Sequence, residues 1–111
     1  MTTSWIYLFV AGGLEIAATT LFRYTDGLSK LMPTIAFFAV GIASFYFLSK
    51  SIIGDGAIPL GTAYAVWTGI GAAGTALIGL GLYGEPAGAL RVALLFLLIA
   101  SIVGLKLVST H

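Results

Sequence analysis

Titratable side chains are few in this chain, and one of them, Glu15, lies inside a long apolar run. The run extends from Ser4 to Phe22 and carries no other charge. As an α-helix it would be long enough to cross the hydrocarbon core of a bilayer, with Glu15 near its midpoint. A carboxylate at that depth usually faces a protein interior or a watery cavity and serves a function. We therefore predict that Glu15 binds protons and cations; the alternative is a protonated glutamate that is hydrogen-bonded between helices.

Two aromatic residues in another apolar run could complete a cation site. Tyr64 and Trp67 are three positions apart, so they would lie on neighbouring positions of one helix surface. Aromatic faces attract organic cations, and a tyrosine hydroxyl can orient a carboxylate by hydrogen bonding. Aromatic residues also pack between membrane helices, and packing is the alternative role. We predict that both residues line a site with Glu15.

The sequence shows no catalytic or metal-binding constellation. The only histidine is His111 at the C-terminal end, and Asp26 and Asp55 fall in polar connections. No nucleophile, base and orienting group occur in a recognisable arrangement. The absence of cysteine excludes thiolate metal sites, thiol catalysis and disulfides. The sequence therefore predicts neither an enzyme nor a bound metal or cofactor.

The composition is that of a membrane protein. The chain has 111 residues, of which 59% are hydrophobic and 8% charged, whereas a soluble domain has about 25% charged residues. A net charge of +1 with no basic stripe excludes nucleic acid as a partner. The N-terminal residues lack the basic segment of a secretory signal, so we expect the first helix to be retained. These features predict a multi-pass protein of the inner (plasma) membrane, in contact with lipid.

The charged residues divide the chain into four apolar blocks. Polar connections lie at Arg23–Lys30 and Lys50–Asp55, and Glu85-Pro86 breaks the chain between the last two blocks. Pro33 and Pro59 would fall in the first turns of the second and third helices, where a missing N–H is tolerated. We predict one all-α transmembrane domain over residues 1–111, with helices at 4–22, 31–52, 57–83 and 88–108.

Small residues recur every four positions on one face of the third predicted helix. Such spacing allows close helix contact within lipid, although glycine and alanine are also common in membrane helices generally. Gly69 and Gly71 form a pair that would weaken the helix and permit a bend. Because four short helices enclose little space, we predict a dimer in which two Glu15 side chains share one cavity. The residues expected to pack in the dimer or bend the helix are Gly61, Ala65, Gly69, Gly71 and Ala73.

Several motifs give the chain a specific resemblance over nearly its whole length. They are Leu14-Glu15-Ile16, Ser44-Phe45-Tyr46 and the stretch from Pro59 to Trp67. With these motifs, the chain resembles the small multidrug resistance family of proton-coupled exporters. The resemblance implies antiparallel dimers of four-helix subunits. It also implies that Glu15 is the shared proton and substrate site, lined by Tyr64 and Trp67, and that Ser44 forms a hydrogen bond near the glutamate.

Three further stretches resemble the guanidinium exporters of this family: Trp67 to Ala72, Gly84-Glu85-Pro86 and Gly104-Leu105-Lys106. Those exporters typically carry a tryptophan three residues after the glutamate. This chain has Ala18 there, which is closer to the quaternary-ammonium branch and to some paired subunits. We expect Gly12, Ala18 and Thr19 to line the site or set its selectivity, and the smaller Ala18 to leave a wider site.

The connection from Lys50 to Ile58 is longer than is usual in the family, with Gly54-Asp55-Gly56 as the insertion. Positive charges number three on one predicted side of the membrane and two on the other, which leaves orientation undecided. The same balance leaves open a homodimer or a heterodimer with a second family subunit. The two groups are Arg23, Lys30 and Arg91 on one side, and Lys50 and Lys106 on the other.

The function predicted from these features is proton-coupled antiport that exports small organic cations. The expected substrates are guanidinium or substituted guanidinium compounds, with quaternary ammonium cations as a further class. One alternative is a broad multidrug exporter of polyaromatic and quaternary ammonium cations. Another is the accessory half of a heterodimeric pair. A channel fits these features less well than an exchanger does. A single protonatable Glu15 that binds either a cation or a proton favours exchange of one for the other over continuous conduction.

Overall fold

The computed structural model describes residues 3–54, 56–84 and 88–108 of the chain. This part of the chain folds into four α-helices: α1 (Thr3–Tyr24), α2 (Leu31–Ser51), α3 (Leu60–Leu82) and α4 (Ala89–Val108). Each helix is long and apolar enough to cross a membrane. The all-α fold with four membrane-spanning helices that the sequence predicts is thus confirmed.

The third helix begins later than the sequence predicts, at Leu60 rather than at residue 57. Pro59 is the residue at its N-cap, with an extended ψ of 140°, and does not lie in the first turn. The connection before it turns through Gly54 and Gly56, whose φ angles of 79° and 75° glycine adopts without strain. Asp55, the middle residue of the expected insertion, lies outside the described residues, as do Glu85, Pro86 and His111.

Helix α1 is the centre of the described bundle, because α2 packs along one side of it and α3 along another. The backbone of α4 packs against α3 alone among the other described helices, and its Lys106 Nζ atom also lies 5.7 Å from the ring centroid of Trp5 in α1. A shared core joins Trp5 and Leu8 of α1 to Val66 and Trp67 of α3. In contrast, Ile102 is the one buried residue within the span of α4. Most of α4 is therefore free to contact lipid or another subunit.

A tight turn sets α2 beside α1. The side chain of Thr25 is fully buried, its hydroxyl donates to the Phe22 carbonyl at 2.8 Å and it accepts from the Leu28 N–H at 3.2 Å. Asp26, Gly27 and Leu28 all have positive φ, so the chain reverses within a few residues. This reversal holds α2 close to α1 along the segment that contains Glu15.

Candidate functional site

Glu15 lies between two cavities that open on different sides of α1. The larger, which we call the main cleft, has a volume of about 560 Å³ and lies between α1 and α3. The smaller, which we call the side cavity, has a volume of about 230 Å³ and lies between α1 and α2. Within the described residues, the Glu15 carboxyl makes no hydrogen bond or ion pair. Its charge is therefore not matched by a cationic group of the described protomer.

The far wall of the main cleft is one face of α3. Tyr64, Thr68, Gly71 and Thr75 recur at intervals of three or four residues, so they point the same way and line the cleft together. Gly71 lies directly against the glutamate, since a Cβ atom at this position would be 2.8 Å from Glu15 Cγ. The absence of a side chain at Gly71 is what allows α3 to lie this close to the carboxyl-bearing side chain.

Ser44 links α2 to both walls of the cleft. Its fully buried hydroxyl donates to the Ala11 carbonyl at 2.7 Å and accepts from the Trp67 Nε1–H at 2.9 Å. Ala11 lies one helical turn before Glu15, so the hydroxyl is near the glutamate, but it does not bond to the carboxyl. The position of Ser44 fixes the orientation of the Trp67 indole at the edge of the main cleft.

Three aromatic rings meet around the tryptophan. The ring centroid of Trp67 is 5.5 Å from that of Tyr64 and 5.0 Å from that of Phe45. Trp67 is almost entirely buried, whereas Tyr64 is 55% exposed in the single protomer. The Tyr64 hydroxyl makes no hydrogen bond to Glu15 among the described contacts. Trp67 thus forms a fixed wall, and Tyr64 presents its ring to whatever occupies or covers the cleft.

Thr19 closes one end of the main cleft together with Thr75. Their hydroxyls form a short hydrogen bond across the α1–α3 contact, and Thr19 Oγ1 also donates to the Glu15 carbonyl at 3.1 Å. Thr19, which the sequence predicts as a site residue, therefore lines the cleft as part of a hydroxyl pair. Thr68, Thr75 and Phe45 were not predicted as site residues. A possible signal for the threonines was their seven-residue spacing within an apolar helix.

The two remaining predicted selectivity residues do not line the main cleft. Ala18 is buried and lines the side cavity, not the main cleft. Gly12 packs against α3, because an added Cβ would be 2.7 Å from Ile70 Cγ2. Gly12 therefore sets the distance between the two helices and does not line either cavity.

The small residues of α3 do not form one free face for a partner subunit. Gly69 is buried inside the protomer, where an added Cβ would be 2.9 Å from Ile102 Cδ1 of α4. Ala73 is also buried, whereas Gly61 and Ala65 are exposed. Gly71, expected at a bend, lies inside the continuous helix Leu60–Leu82 and contacts Glu15. At Gly69, the four-residue spacing thus serves a close contact within the protomer, and the role of these residues in dimer packing stays a prediction.

Comparison with known proteins gives consistent matches over nearly the whole chain. Residues 3–98 match the family model described as Small Multidrug Resistance protein. The guanidinium exporter of Proteus vulgaris is 46% identical over 106 residues, which cover 96% of this chain and 99% of that protein. The guanidinium exporters of Citrobacter freundii and Escherichia coli (strain K12) are 47% and 45% identical over 108 residues, covering 97% of this chain and 99% of each relative.

Proposed function

Since the chain belongs to the small multidrug resistance family, and is a multi-pass protein of the inner membrane, we propose that it exports small organic cations in exchange for protons. One observation carries this proposal. A single carboxyl, at the middle of a membrane-spanning helix, faces an open cleft and has no cationic partner within the described protomer. Such a group is a receptor for a positive charge that comes from outside the protein.

Competition at Glu15 provides the coupling. The hydrocarbon surroundings disfavour a lone carboxylate, so either a proton or a bound cation must neutralise it. A cation that enters on the inner side displaces the proton, and a proton that enters on the outer side displaces the cation. Because both cannot be bound to the same carboxylate, net export follows the inward proton gradient. No covalent chemistry is involved, and the proposal includes neither an enzyme activity nor a cofactor.

The aromatic residues and Ser44 have separate roles in this proposal. Trp67, held by its hydrogen bond to Ser44, supplies a rigid face for a flat cation. Tyr64 supplies a second, movable face, which suits a residue that must release its ligand. Glu15 supplies the charge. Thr19 and Thr75 place hydroxyls at one end of the cleft, where N–H groups of a substrate can donate to them.

Guanidinium compounds are the substrates that we propose first, because the relatives named above are guanidinium exporters. The side cavity next to Ala18 adds about 230 Å³ of largely apolar space beside the carboxyl. That space can hold the substituent of a substituted guanidinium or of a hydrophobic ammonium cation. We therefore propose a range wider than guanidinium itself. A broad multidrug exporter of polyaromatic cations is the second candidate, which the same apolar space favours.

Substitution of Glu15 tests the proposal. Glu15→Gln keeps the shape of the side chain and removes its charge, so we expect a folded protein that neither exchanges protons for cations nor binds cations in a pH-dependent way. In the wild type, cation binding should weaken as the pH falls, because protons compete for the carboxylate. Liposome flux under an imposed proton gradient measures the first property, and binding titrations at several pH values measure the second.

Asp26→Asn is the matched control, since it removes a carboxylate from an exposed turn and leaves the cleft intact. We expect its transport to equal that of the wild type. Proton-driven transport by Glu15→Gln would contradict the proposed role of Glu15.

Electrophysiology with guanidinium, guanylurea and tetramethylammonium then tests the substrate range. Transport of guanidinium with rejection of every larger cation would contradict the wider range, and no transport by the chain alone would favour the accessory half of a heterodimer.

A further inference from the structure

Outside the main cleft, the protein already holds one guanidinium group against an aromatic ring. Arg23 lies near the end of α1, and its Cζ atom is 3.8 Å from the ring centroid of Tyr83, the residue that follows α3. The Tyr83 hydroxyl is hydrogen-bonded to the Tyr24 hydroxyl at 2.6 Å. The two tyrosine rings meet edge to face, with centroids 6.4 Å apart. The face of Tyr83 is therefore fixed by one tyrosine and covered by a guanidinium.

The Arg23 contact is with a neutral ring. The hydrogen bond with Tyr24 raises the pKa of Tyr83, desolvation raises it further, and the charge of Arg23 opposes both effects. The phenol therefore stays protonated over the physiological range of pH. Attraction between Arg23 and Tyr83 comes from the ring face, which does not distinguish an arginine side chain from a free guanidinium ion.

A small cavity joins this contact to the main cleft. It has a volume of about 100 Å³, and both Arg23 and Tyr83 line it. Thr19 and Thr75 line this cavity and the main cleft as well. The hydroxyl pair is thus the partition between Glu15 on one side and the Arg23–Tyr83 contact on the other. A cation that leaves Glu15 toward this end of the molecule meets the threonine pair and then the face of Tyr83.

We propose that the face of Tyr83, positioned by Tyr24, is a second and weaker binding site for guanidinium-type cations, which Arg23 occupies when no substrate is present. The site lies between Glu15 and the water at that end of the bundle. A passing cation displaces the Arg23 side chain and takes its place on the ring. This inference rests on the proposed function, because it assigns the same class of substrate to a second position.

The competition explains why the site is weak and selective. Arg23 is attached to the protein and competes at high local concentration, so a free cation replaces it only at high concentration. A planar guanidinium can lie over the ring as Arg23 does, whereas a tetrahedral tetramethylammonium ion has no flat face. The ordinary alternative is that Arg23 and Tyr83 are only interfacial anchors, as such residues often are at membrane surfaces. In that case, guanidinium would not displace the arginine.

Arginine side-chain NMR separates the two alternatives. The arginines of this chain are Arg23 and Arg91, so ¹⁵N-arginine labelling gives an assignable pair of Nε–H signals, of which Arg91 is the internal reference. The titration uses the full chain with Glu15→Gln in lipid nanodiscs, so that binding at Glu15 does not contribute. Guanidinium chloride is added to about 100 mM, since an exposed cation–π contact is weak. Tetramethylammonium chloride at the same ionic strength is the control.

We expect guanidinium to shift the Arg23 signal progressively and to leave Arg91 unchanged, with tetramethylammonium producing a smaller shift. Tyr83→Phe keeps the ring face and should retain the guanidinium-dependent shift, whereas Tyr83→Leu should lose it. An Arg23 signal that does not move, that moves equally with both salts, or that still responds in Tyr83→Leu overturns the second site.

Transport by protein with Glu15 intact provides the second measurement. Tyr83→Leu should lower the guanidinium flux by about two- to fivefold, the range expected for one exposed cation–π contact. Tyr46→Leu is the matched control, since Tyr46 is near a cation, Lys50, at 5.7 Å but lies at the other end of the bundle. Its flux should not change. Equal fluxes for Tyr83→Leu and the wild type overturn the role of the site in transport.

The experiments distinguish failure of the proposed function at Glu15 from failure of the second site at Tyr83. If Glu15→Gln abolishes exchange but guanidinium leaves Arg23 unmoved, the second site is wrong and the proposed function stands. If Glu15→Gln still exchanges protons for cations while guanidinium displaces Arg23 from Tyr83, the role of Glu15 is wrong and the second site stands.

Discussion

Among single residues, Ser44 makes the most specific contact around the proposed site. Its buried hydroxyl joins Trp67 of α3 to the Ala11 carbonyl of α1. Ser44→Ala removes the acceptor for the indole N–H, and an unsatisfied buried donor destabilises a protein by about 1–3 kcal/mol. We expect a lower melting temperature and weaker cation binding, because the indole is then free to rotate away from the cleft. Thermal unfolding in detergent and binding titration measure these two effects.

Ser101→Ala is the control for Ser44→Ala, since it also deletes a serine hydroxyl that bonds to a carbonyl, but at an exposed position of α4. It should leave cation binding unchanged. If both variants bind the cation as the wild type does, the Ser44–Trp67 bond does not position the indole for binding.

Residue type explains which members of the site could be predicted from the sequence. Glu15 and Trp67 are unusual within apolar helices, so their residue types alone indicate that they line a cation site. Thr75 and Phe45 are ordinary in such helices, and their proximity to the site depends on how α2 and α3 are rotated against α1. Ala18 was expected beside the carboxyl because it is one turn away, and it lines the side cavity together with Glu15, but it does not line the main cleft. Rotation about the helix axis is a property of packing and not of spacing.

Between elements, the contact of α1 with α3 at Gly71 controls the space around the glutamate. A Cβ atom at Gly71 would approach Glu15 Cγ to 2.8 Å, so Gly71→Ala must either move the Glu15 side chain or separate the helices. We expect transport to fall severalfold while the protein stays folded. Gly81→Ala is the control, because the same substitution in the same helix meets no atom within 4 Å.

Alanine favours a helix over glycine by up to about 1 kcal/mol, so Gly81→Ala should keep full transport and slightly raise stability. Circular dichroism with thermal unfolding reports the fold of both variants, and liposome flux reports transport. Equal fluxes for the two variants would contradict the importance of the α1–α3 contact.

Contacts between helices also show what the small-residue pattern can and cannot predict. Spacing of four predicts that Gly69 makes a close helix contact, and it does, with Ile102 of α4. The pattern contains no information on whether the partner helix belongs to the same chain. Likewise, the apolar run before α3 includes Ala57 and Ile58, but the extended backbone of Pro59 delays the helix to Leu60. Apolar spans were therefore predictable, whereas helix partners and exact helix starts were not.

At the scale of the molecule, the protomer is a slab whose Cα atoms span 41 × 36 × 17 Å. Two packed layers of helices, with axes about 8–10 Å apart and Cα atoms about 2.3 Å from each axis, span about 13–15 Å between Cα atoms, so the thin dimension holds no more than two layers. Such a slab cannot enclose the main cleft, and Tyr64 remains 55% exposed there. A polar cleft open to hydrocarbon is unfavourable. The open cleft supports the prediction that a second subunit covers Glu15; that this subunit is inverted relative to the first is what the family resemblance implies.

Antiparallel pairing makes a prediction about orientation that cysteine labelling can test. The chain has no cysteine, so Ser29→Cys in the α1–α2 turn and Ser49→Cys near the other end of α2 each introduce a single thiol without changing charge. Both serines are exposed. In an antiparallel homodimer, each thiol lies outside in one subunit and inside in the other. Membrane-impermeant maleimide added to intact spheroplasts should therefore label roughly half of the protein in both variants.

Spheroplasts are needed for this test, because reconstitution into liposomes would randomise the orientation of any protein. A protein with one fixed orientation would be labelled fully at one position and not at the other, which would contradict the antiparallel homodimer. Because the two thiols report opposite ends of one helix, incomplete reaction lowers both signals together, whereas fixed orientation separates them. The difference between the labelled fractions at the two positions, and not the labelled fraction at either one, therefore decides whether this chain inserts into the membrane in both orientations.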